Sequence, residues 1–248
     1  MEKDCLDFQY NVVVKAMNHN LLMFTPTPVR GRFLDINCGT GIWAINLANA
    51  SPDVTVLGVN VARIQPDNHP TNCWFKHVPT IDKTWDVAKG EWNHIHLMKG
   101  SGSVAYPPEF YRKLRTRLLP GSWFEQLEFD YRPCGNSELE GTALHKWSQH
   151  MNKDIHREDT FRVLYDAGFV NIHRHSISLP LNYRDGDHIY YYLHYLCHLL
   201  DSAQLSQRHG LERVRMQQLL EEVKSEFKKS AIRAYYFLHV YTAQANVS

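Results

Sequence analysis

The chain has 248 residues, 44% of them hydrophobic, and carries 27 Lys and Arg against 26 Asp and Glu. That length fits one domain with a sizeable core, here taken as 1–248 with helical elaborations at about 135–165 and 186–230. A net charge near zero gives no electrostatic footprint for nucleic acid or an anionic membrane, so neither is expected as a partner. The five cysteines, Cys5, Cys38, Cys73, Cys134 and Cys197, are odd in number and widely spaced. They read as reduced thiols of an intracellular protein. The first residues, MEKDCLDFQY, hold no apolar signal core, and no window reaches the roughly 18 apolar residues of a membrane span. A cytoplasmic location is expected, with the nucleus as the alternative.

Taken in chain order, the first half alternates short apolar runs with helical patterns, which predicts a βαβ succession around a parallel sheet. Phe33 to Ile36 reads as the first strand and Gly41 to Ala50 as the helix after it. Val54 to Val59 is β-branched and apolar, Cys73 to His77 is a weaker strand, and Asn93 to Leu97 is a fourth. Pro107 to Leu118 has helical spacing and stops at Pro120-Gly121, after which Ser122 to Phe129 is the fifth strand. Leu139 to Lys153 and Arg157 to Ala167 read as helices, and Phe169 to His175 alternates like a strand. His188 to Leu200 is an aromatic-rich helix, Glu212 to Lys229 a charged one, and Ala234 to Ala243 a final strand.

The central motif is Leu34-Asp35-Ile36-Asn37-Cys38-Gly39-Thr40-Gly41-Ile42-Trp43. A nucleotide-type cofactor needs close backbone approach where the first strand turns into a helix, and the helix N-terminus supplies N–H donors. Gly39 and Gly41 meet that need, and Asn37 stands where a further glycine is usual. Asparagine tolerates positive φ better than most residues, so the turn is expected to survive. Asp35, Asn37, Gly39, Gly41 and Asn60 are the candidate cofactor-binding residues.

The segments DINCGTGIWAINLA, VTVLGVNVARIQP and WNHIHLMKGSGSVAYPPEFYRKLRTRLLPGSWFEQLEFD resemble the fungal LaeA-like methyltransferases. The resemblance continues through LHKWSQHM, AGFVNI, LPLN and IRAYYFLHVY, and so covers nearly the whole chain. It implies an α/β, Rossmann-like class I methyltransferase fold: a mostly parallel seven-stranded sheet with an antiparallel edge strand and a helical lid. It also implies a role in secondary-metabolite biosynthesis or its regulation, and normally S-adenosylmethionine. Three departures fall on the implied cofactor site. Asn37 replaces a glycine, Asn60 stands where the family carries an acid that grips the ribose hydroxyls, and Val78-Pro79-Thr80-Ile81-Asp82 replaces an Asp-rich segment.

A hydrogen bond to a charged group contributes about 1.5–3 kcal/mol, so losing one costs roughly 10- to 150-fold in affinity. Three losses together predict that the fold was kept and the methyl donor discarded, with no cofactor. On that reading the protein is a cyclase that folds a small, largely apolar natural product into one reactive conformer. Two alternatives stand beside it: an S-adenosylmethionine-dependent methyltransferase acting on a small metabolite, and a non-catalytic regulatory partner.

In α/β sheets the ligand crevice lies at the carboxyl ends of the strands. His96 and Lys99 after the fourth strand, Glu128 after the fifth, Trp147 and His150 from the helical elaboration, and Tyr10 are therefore the candidate catalytic residues. His94 and His96 are assigned to opposite faces of their strand. His194 and His198 fall at i and i+4, but no third ligand is evident and no metal site is expected.

Overall fold

A computed structural model describes residues 2–18, 20, 22, 25, 30–99, 108–135, 139–151, 159–181, 213–229 and 234–247. A leading helix, α1 (Glu2–Ala16), precedes the alternating part. Then come β1 (Gly31–Ile36), α2 (Ile42–Ala50), β2 (Val54–Asn60) and β3 (Cys73–His77). A 3-10 turn (Ile81–Lys83) leads into a single helical turn, α3 (Thr84–Val87), followed by β4 (Trp92–Lys99), α4 (Pro108–Thr116) and β5 (Leu118–Gly135). The remainder is α5 (Ala143–Met151), α6 (Thr160–Asp166), β6 (Val170–Pro180), α7 (Arg213–Lys229) and β7 (Ala234–Gln244). The expected aromatic helix at 188–200 and the pair His194 and His198 lie outside the described residues.

The seven strands form one sheet in the order β3-β2-β1-β4-β5-β7-β6. The pairs β1–β2, β1–β4, β2–β3 and β4–β5 are parallel. β7 runs against its neighbours. Gly121 near the start of β5 donates its N–H to Ala245 O just past the end of β7, and Leu181 just past the end of β6 donates to Ala234 O at the start of β7. The reversed strand is therefore not the edge strand expected from the sequence; it lies between β5 and β6, and β6 is the edge.

By contacts the chain divides into two compact units. The first holds Met1–Glu128, Arg157–His175 and His239–Ser248. Its central strands β1 and β4 are buried on both faces for most of their length, which is why they read as near-continuous apolar runs, whereas β3 at the sheet edge alternates with exposed residues. On one face Leu34, Ile36, Ile95, Leu97 and Phe124 pack under Phe110, Tyr111 and Leu114 of α4. On the other, Phe33, Val54 and Val56 pack under Trp43, Ala44, Leu47 and Ala48 of α2, with Tyr10 of α1 joining them.

The second unit holds Phe129–His156 and Ser176–Leu238. Here Leu144 and Trp147 of α5 and Val223 of α7 are buried. The Glu226 carboxylate on α7 accepts hydrogen bonds from the N–H groups of Ala143 (2.7 Å) and Leu144 (3.2 Å), the free donors of the first turn of α5. Tyr131 stacks on Tyr236, ring centroids 5.6 Å apart. Among the described residues no helix is long and apolar enough to cross a membrane.

Candidate functional site

The strand order reverses between β1 and β4, and in such sheets the crevice opens at the carboxyl ends of the strands at that point. The first unit has a cavity of about 290 Å³ there. Its floor and rim are residues that end β1, β2 and β4 together with the loop Asn37–Thr40, and its cover is α1.

The loop takes the path the glycines predict. Gly39 has φ 55°, Gly41 φ 83° and Asn37 φ 60°. Asn37 reaches this left-handed conformation as expected, and its Nδ2 donates to Met98 O at 2.9 Å, which ties the loop to the end of β4. Gly41 precedes the first residue of α2. A Cβ there would run into the Phe75 ring, and the positive φ itself strains an L-residue, so glycine is favoured. The Gly41 N–H donates to Cys38 O and the Cys38 N–H to Val59 O. The N–H groups of Gly39 and Thr40 have no partner among the described residues, so two donors next to the helix N-terminus stay available to a ligand. Gln65 Nε2 donates to Gly39 O and Ala62 O, clasping the loop after β2 to the glycine loop.

At the end of β2, Asn60 lines the cavity and is 6% exposed. Its Nδ2 donates to Ala62 O at 3.1 Å, which leaves Oδ1 as an acceptor. The segment Val78 to Asp82, the third departure, does not line the cavity among the described residues, and Asp82 is exposed in the 3-10 turn.

Below the loop, Asp35 and His96 face each other across the β1–β4 pair, and Glu125 is in register with His96 on β5. His96 Nδ1 is 2.9 Å from Asp35 Oδ1, with both side chains almost fully buried. The Trp43 indole stacks on the imidazole, centroids 4.1 Å apart and planes 6° apart. Asp35 Oδ2 is buried with no partner, and Asp35 lines the cavity. Burial raises the Asp35 carboxyl, and its bond with His96 works against that rise. Glu125 is wholly buried with both oxygens unpartnered, and burial pushes it to about 7.

His94 corrects the sequence-based assignment. Residues two apart on a strand share a face, so His94 and His96 lie on the same side: His94 stacks on Phe33 (5.3 Å) and His96 on Trp43. Both His94 ring nitrogens are buried without a partner, and burial holds the imidazole down at about 3.

α1 was not legible in the sequence, yet it supplies Leu6, Gln9, Tyr10, Val13 and Val14 to the cavity wall, and Met17 just past its end adds to it. Two polar links hold it in place. Thr40 Oγ1 donates to Asp7 Oδ1, and Asn46 Nδ2 donates to the Tyr10 hydroxyl at 2.9 Å. Burial raises the Tyr10 phenol above its ordinary value.

Of the expected catalytic residues, the structure brings Tyr10 and His96 to the cavity. Glu128 is instead part of a side-chain network: its Oε2 accepts from Gln126 Nε2 (3.2 Å) and Thr160 Oγ1 (3.1 Å), while the Tyr111 hydroxyl donates to Gln126 Oε1 (3.0 Å). Trp147 belongs to the second unit, where it is 1% exposed. The side chains of Lys99 and His150 lie outside the described residues. Among the described residues no group of three or more metal-ligating side chains converges.

A family model described as "Methyltransferase domain" matches residues 13–209. The "Secondary metabolism regulator laeA" of Aspergillus flavus is 38% identical over 98% of this chain and 71% of its own length. The "Protein-methionine methyltransferase laeA" of Emericella nidulans is 39% identical over 98% of this chain and 70% of its own. Among solved structures, a phosphoethanolamine N-methyltransferase of Haemonchus contortus, in complex with phosphomonomethylethanolamine and S-adenosylhomocysteine, aligns with TM-score 0.55. That match has 12% identity and covers 94% of this chain and 52% of the other. The [4+2]-cyclase SpnF aligns with the same TM-score at 15% identity, covering 94% and 81%. At such identities both show the fold alone.

These relatives, matched over 98% of this chain, decide between the readings. Their names are those of a methyltransferase and of regulators of secondary metabolism, and this overturns the expectation of a cofactor-independent cyclase that has discarded its methyl donor. With the family model over most of the chain and the seven-stranded sheet beneath it, this protein belongs to the LaeA-like class I methyltransferases.

Proposed function

We propose that the protein is an S-adenosylmethionine-dependent methyltransferase that acts in fungal secondary metabolism or its regulation. The observation that carries this reading is the unpartnered Asp35 Oδ2 at the base of a cavity bordered by the glycine loop. A buried acceptor without a donor costs about 1–3 kcal/mol, and an ammonium-bearing cofactor would supply the donor. The free N–H groups of Gly39 and Thr40 suit its carboxylate, and Asn60 Oδ1 suits a ribose hydroxyl. The residues present therefore fit the cofactor, whose chemistry is to offer a methyl group on a cationic sulfur. The chain's own contribution is to hold it, to keep water out with α1 and Trp43, and to orient an acceptor against the apolar wall of Val13, Met17 and Leu127.

Calorimetric titration with S-adenosylmethionine tests this; micromolar binding is expected, and no binding at millimolar cofactor would refute it. Asn60→Asp should tighten binding by roughly five- to tenfold, since a hydrogen bond to a charged group exceeds one to an amide by about 1–1.4 kcal/mol. A second reading concerns the acceptor alone. The name of the Emericella nidulans relative supports a methionine thioether, and the apolar wall is compatible with one.

A further inference from the structure

We propose that the first unit carries a second binding surface, a groove toward the amino ends of the strands, and that it docks an extended acidic segment of a partner protein with apolar residues at its middle. The groove is independent of the cofactor cavity at the carboxyl ends: the two share no lining residue.

The groove exists because one face of the sheet is left short of cover. α2 packs over β1 and β2 on one side. On the other side the connection from β3 to β4 carries only a 3-10 turn and the four residues of α3, where α2 and α4 have nine each. A full crossover helix would bury the starts of these strands. Instead Trp74 is 49% exposed, Leu57 is half-buried, and a space of about 330 Å³ remains above them. An exposed indole beside apolar surface marks a contact site more often than it marks free surface.

The lining is charged with one sign. Arg32, Lys76 and Lys89 line the groove, and no acidic side chain does. None of the three cations is ion-paired among the described residues. Arg32 is nevertheless fixed. Its Nη1 donates to Glu91 O at 3.2 Å and its Nη2 to Lys89 O at 3.0 Å, and the guanidinium sits 4.3 Å over the Trp92 ring. Gly90 turns the chain around it at φ 85°, and a Cβ there would run into Nη1. Carbonyls orient the guanidinium without neutralising it, so its charge is held ready for a carboxylate at little further cost in side-chain entropy.

The spacing of the cations selects the occupant. Arg32 is in register with Thr55 on β2, and Val59 with Lys76 on β3. Lys76 therefore lies four residue steps along and two strands across from Arg32. At roughly 3.3 Å per step and 4.8 Å per strand, the two Cα atoms are about 16 Å apart. One phosphate or one carboxylate cannot meet both. An extended chain covers that distance in about five residues, so acids four to five positions apart reach the two ends while apolar side chains between them lie on Trp74 and Leu57. A single strand of nucleic acid is the poorer match: it needs successive stacking rings, and the groove exposes one.

The test uses the whole protein and a fluorescein-labelled peptide, Glu-Asp-Leu-Phe-Leu-Asp-Glu, followed by anisotropy. Binding in the micromolar range is expected, weakened several-fold between about 50 and 500 mM salt. Lys76→Glu combined with Lys89→Glu should weaken it by about tenfold or more, and Trp74→Ser by about tenfold. Calorimetric affinity for S-adenosylmethionine should stay within a few-fold in both variants. No binding at millimolar peptide, equal binding of the analogue with lysine at every acid, or binding unmoved by the variants would each overturn the proposal. So would tighter binding of oligothymidylate or inorganic phosphate that the same variants abolish, or a wild-type dimer in sedimentation that Trp74→Ser converts to monomer. None of these outcomes touches the cofactor reading, which fails only if the wild type does not bind cofactor.

Discussion

Replacing His94 with leucine tests the electrostatics of the sheet interior. His94 is 0% exposed, both ring nitrogens lack partners, and burial lowers it from 6.5 to about 3. In the unfolded chain the same imidazole titrates near 6.5, so between pH 6.5 and about 3 the unfolded state binds a proton that the folded state refuses. Stability is therefore lost as pH falls through this window. At pH 5 the loss spans one and a half pH units at 1.36 kcal/mol each, about 2 kcal/mol. Glu125 has the opposite sign. Raised from 4.5 to about 7, it holds a proton in the folded state that the unfolded chain has released, so its contribution is present at low pH and is lost as pH rises from 4.5 to 7. The two slopes oppose each other between pH 4.5 and 6.5. His94→Leu removes one of them. Its thermal midpoint, relative to wild type, should improve on going from pH 7 to pH 5 by the equivalent of about 2 kcal/mol, or roughly 4–8 °C at this chain length. Glu125→Gln should show the reverse over the same range, falling behind wild type by about 2–3 kcal/mol. A wild-type-minus-variant difference that is the same at both pH values would refute the argument.

Gly41→Ala should lower both stability and cofactor affinity, because φ 83° strains an L-residue by about 1–2 kcal/mol and the new Cβ meets the Phe75 ring. Adding Phe75→Leu should recover the steric part of the loss but not the backbone part, as thermal melts and calorimetry of both variants would show. Asn37→Ala should cost about 2 kcal/mol, from left-handed strain plus the lost bond to Met98 O. Asn37→Gly, which keeps the conformation and loses only the bond, should cost about 1 kcal/mol in chemical denaturation; equal losses would show that the φ of this position is unimportant.

The central strands were legible because a parallel sheet covered on both faces writes itself as unbroken apolar runs, as in Phe33–Ile36 and Val54–Val59. The glycine loop was legible for a similar reason: its conformation demands the residue types it has. α1 was not, because several of its apolar side chains, Leu6, Val13 and Val14 among them, line a cavity, so the helix lacks a clean stripe. The Asp35–His96 pair joins residues 61 positions apart, and no local pattern announces it.

The function was misread by counting each departure as a lost contact. Asn37 adopts the required conformation, Asn60 keeps an oxygen to accept with, and Val78 to Asp82 does not line the cavity. Asp35 Oδ2, the atom that speaks for a ligand, is visible only in three dimensions.

The position of β7 has a consequence for how the chain is made. Strands with long sequence separation pair slowly, and synthesis delivers the N-terminal part first, at about 5–20 residues per second. Because β7 sits between β5 and β6, both strands wait with open hydrogen-bonding edges until residues 234–244 have been synthesised. Such edges are templates for pairing with other chains. Release of a chain truncated before Ala234 would thus leave two unpaired edges at once, and aggregation during expression, more than loss of any side chain in the cavity, is the expected penalty for shortening this end.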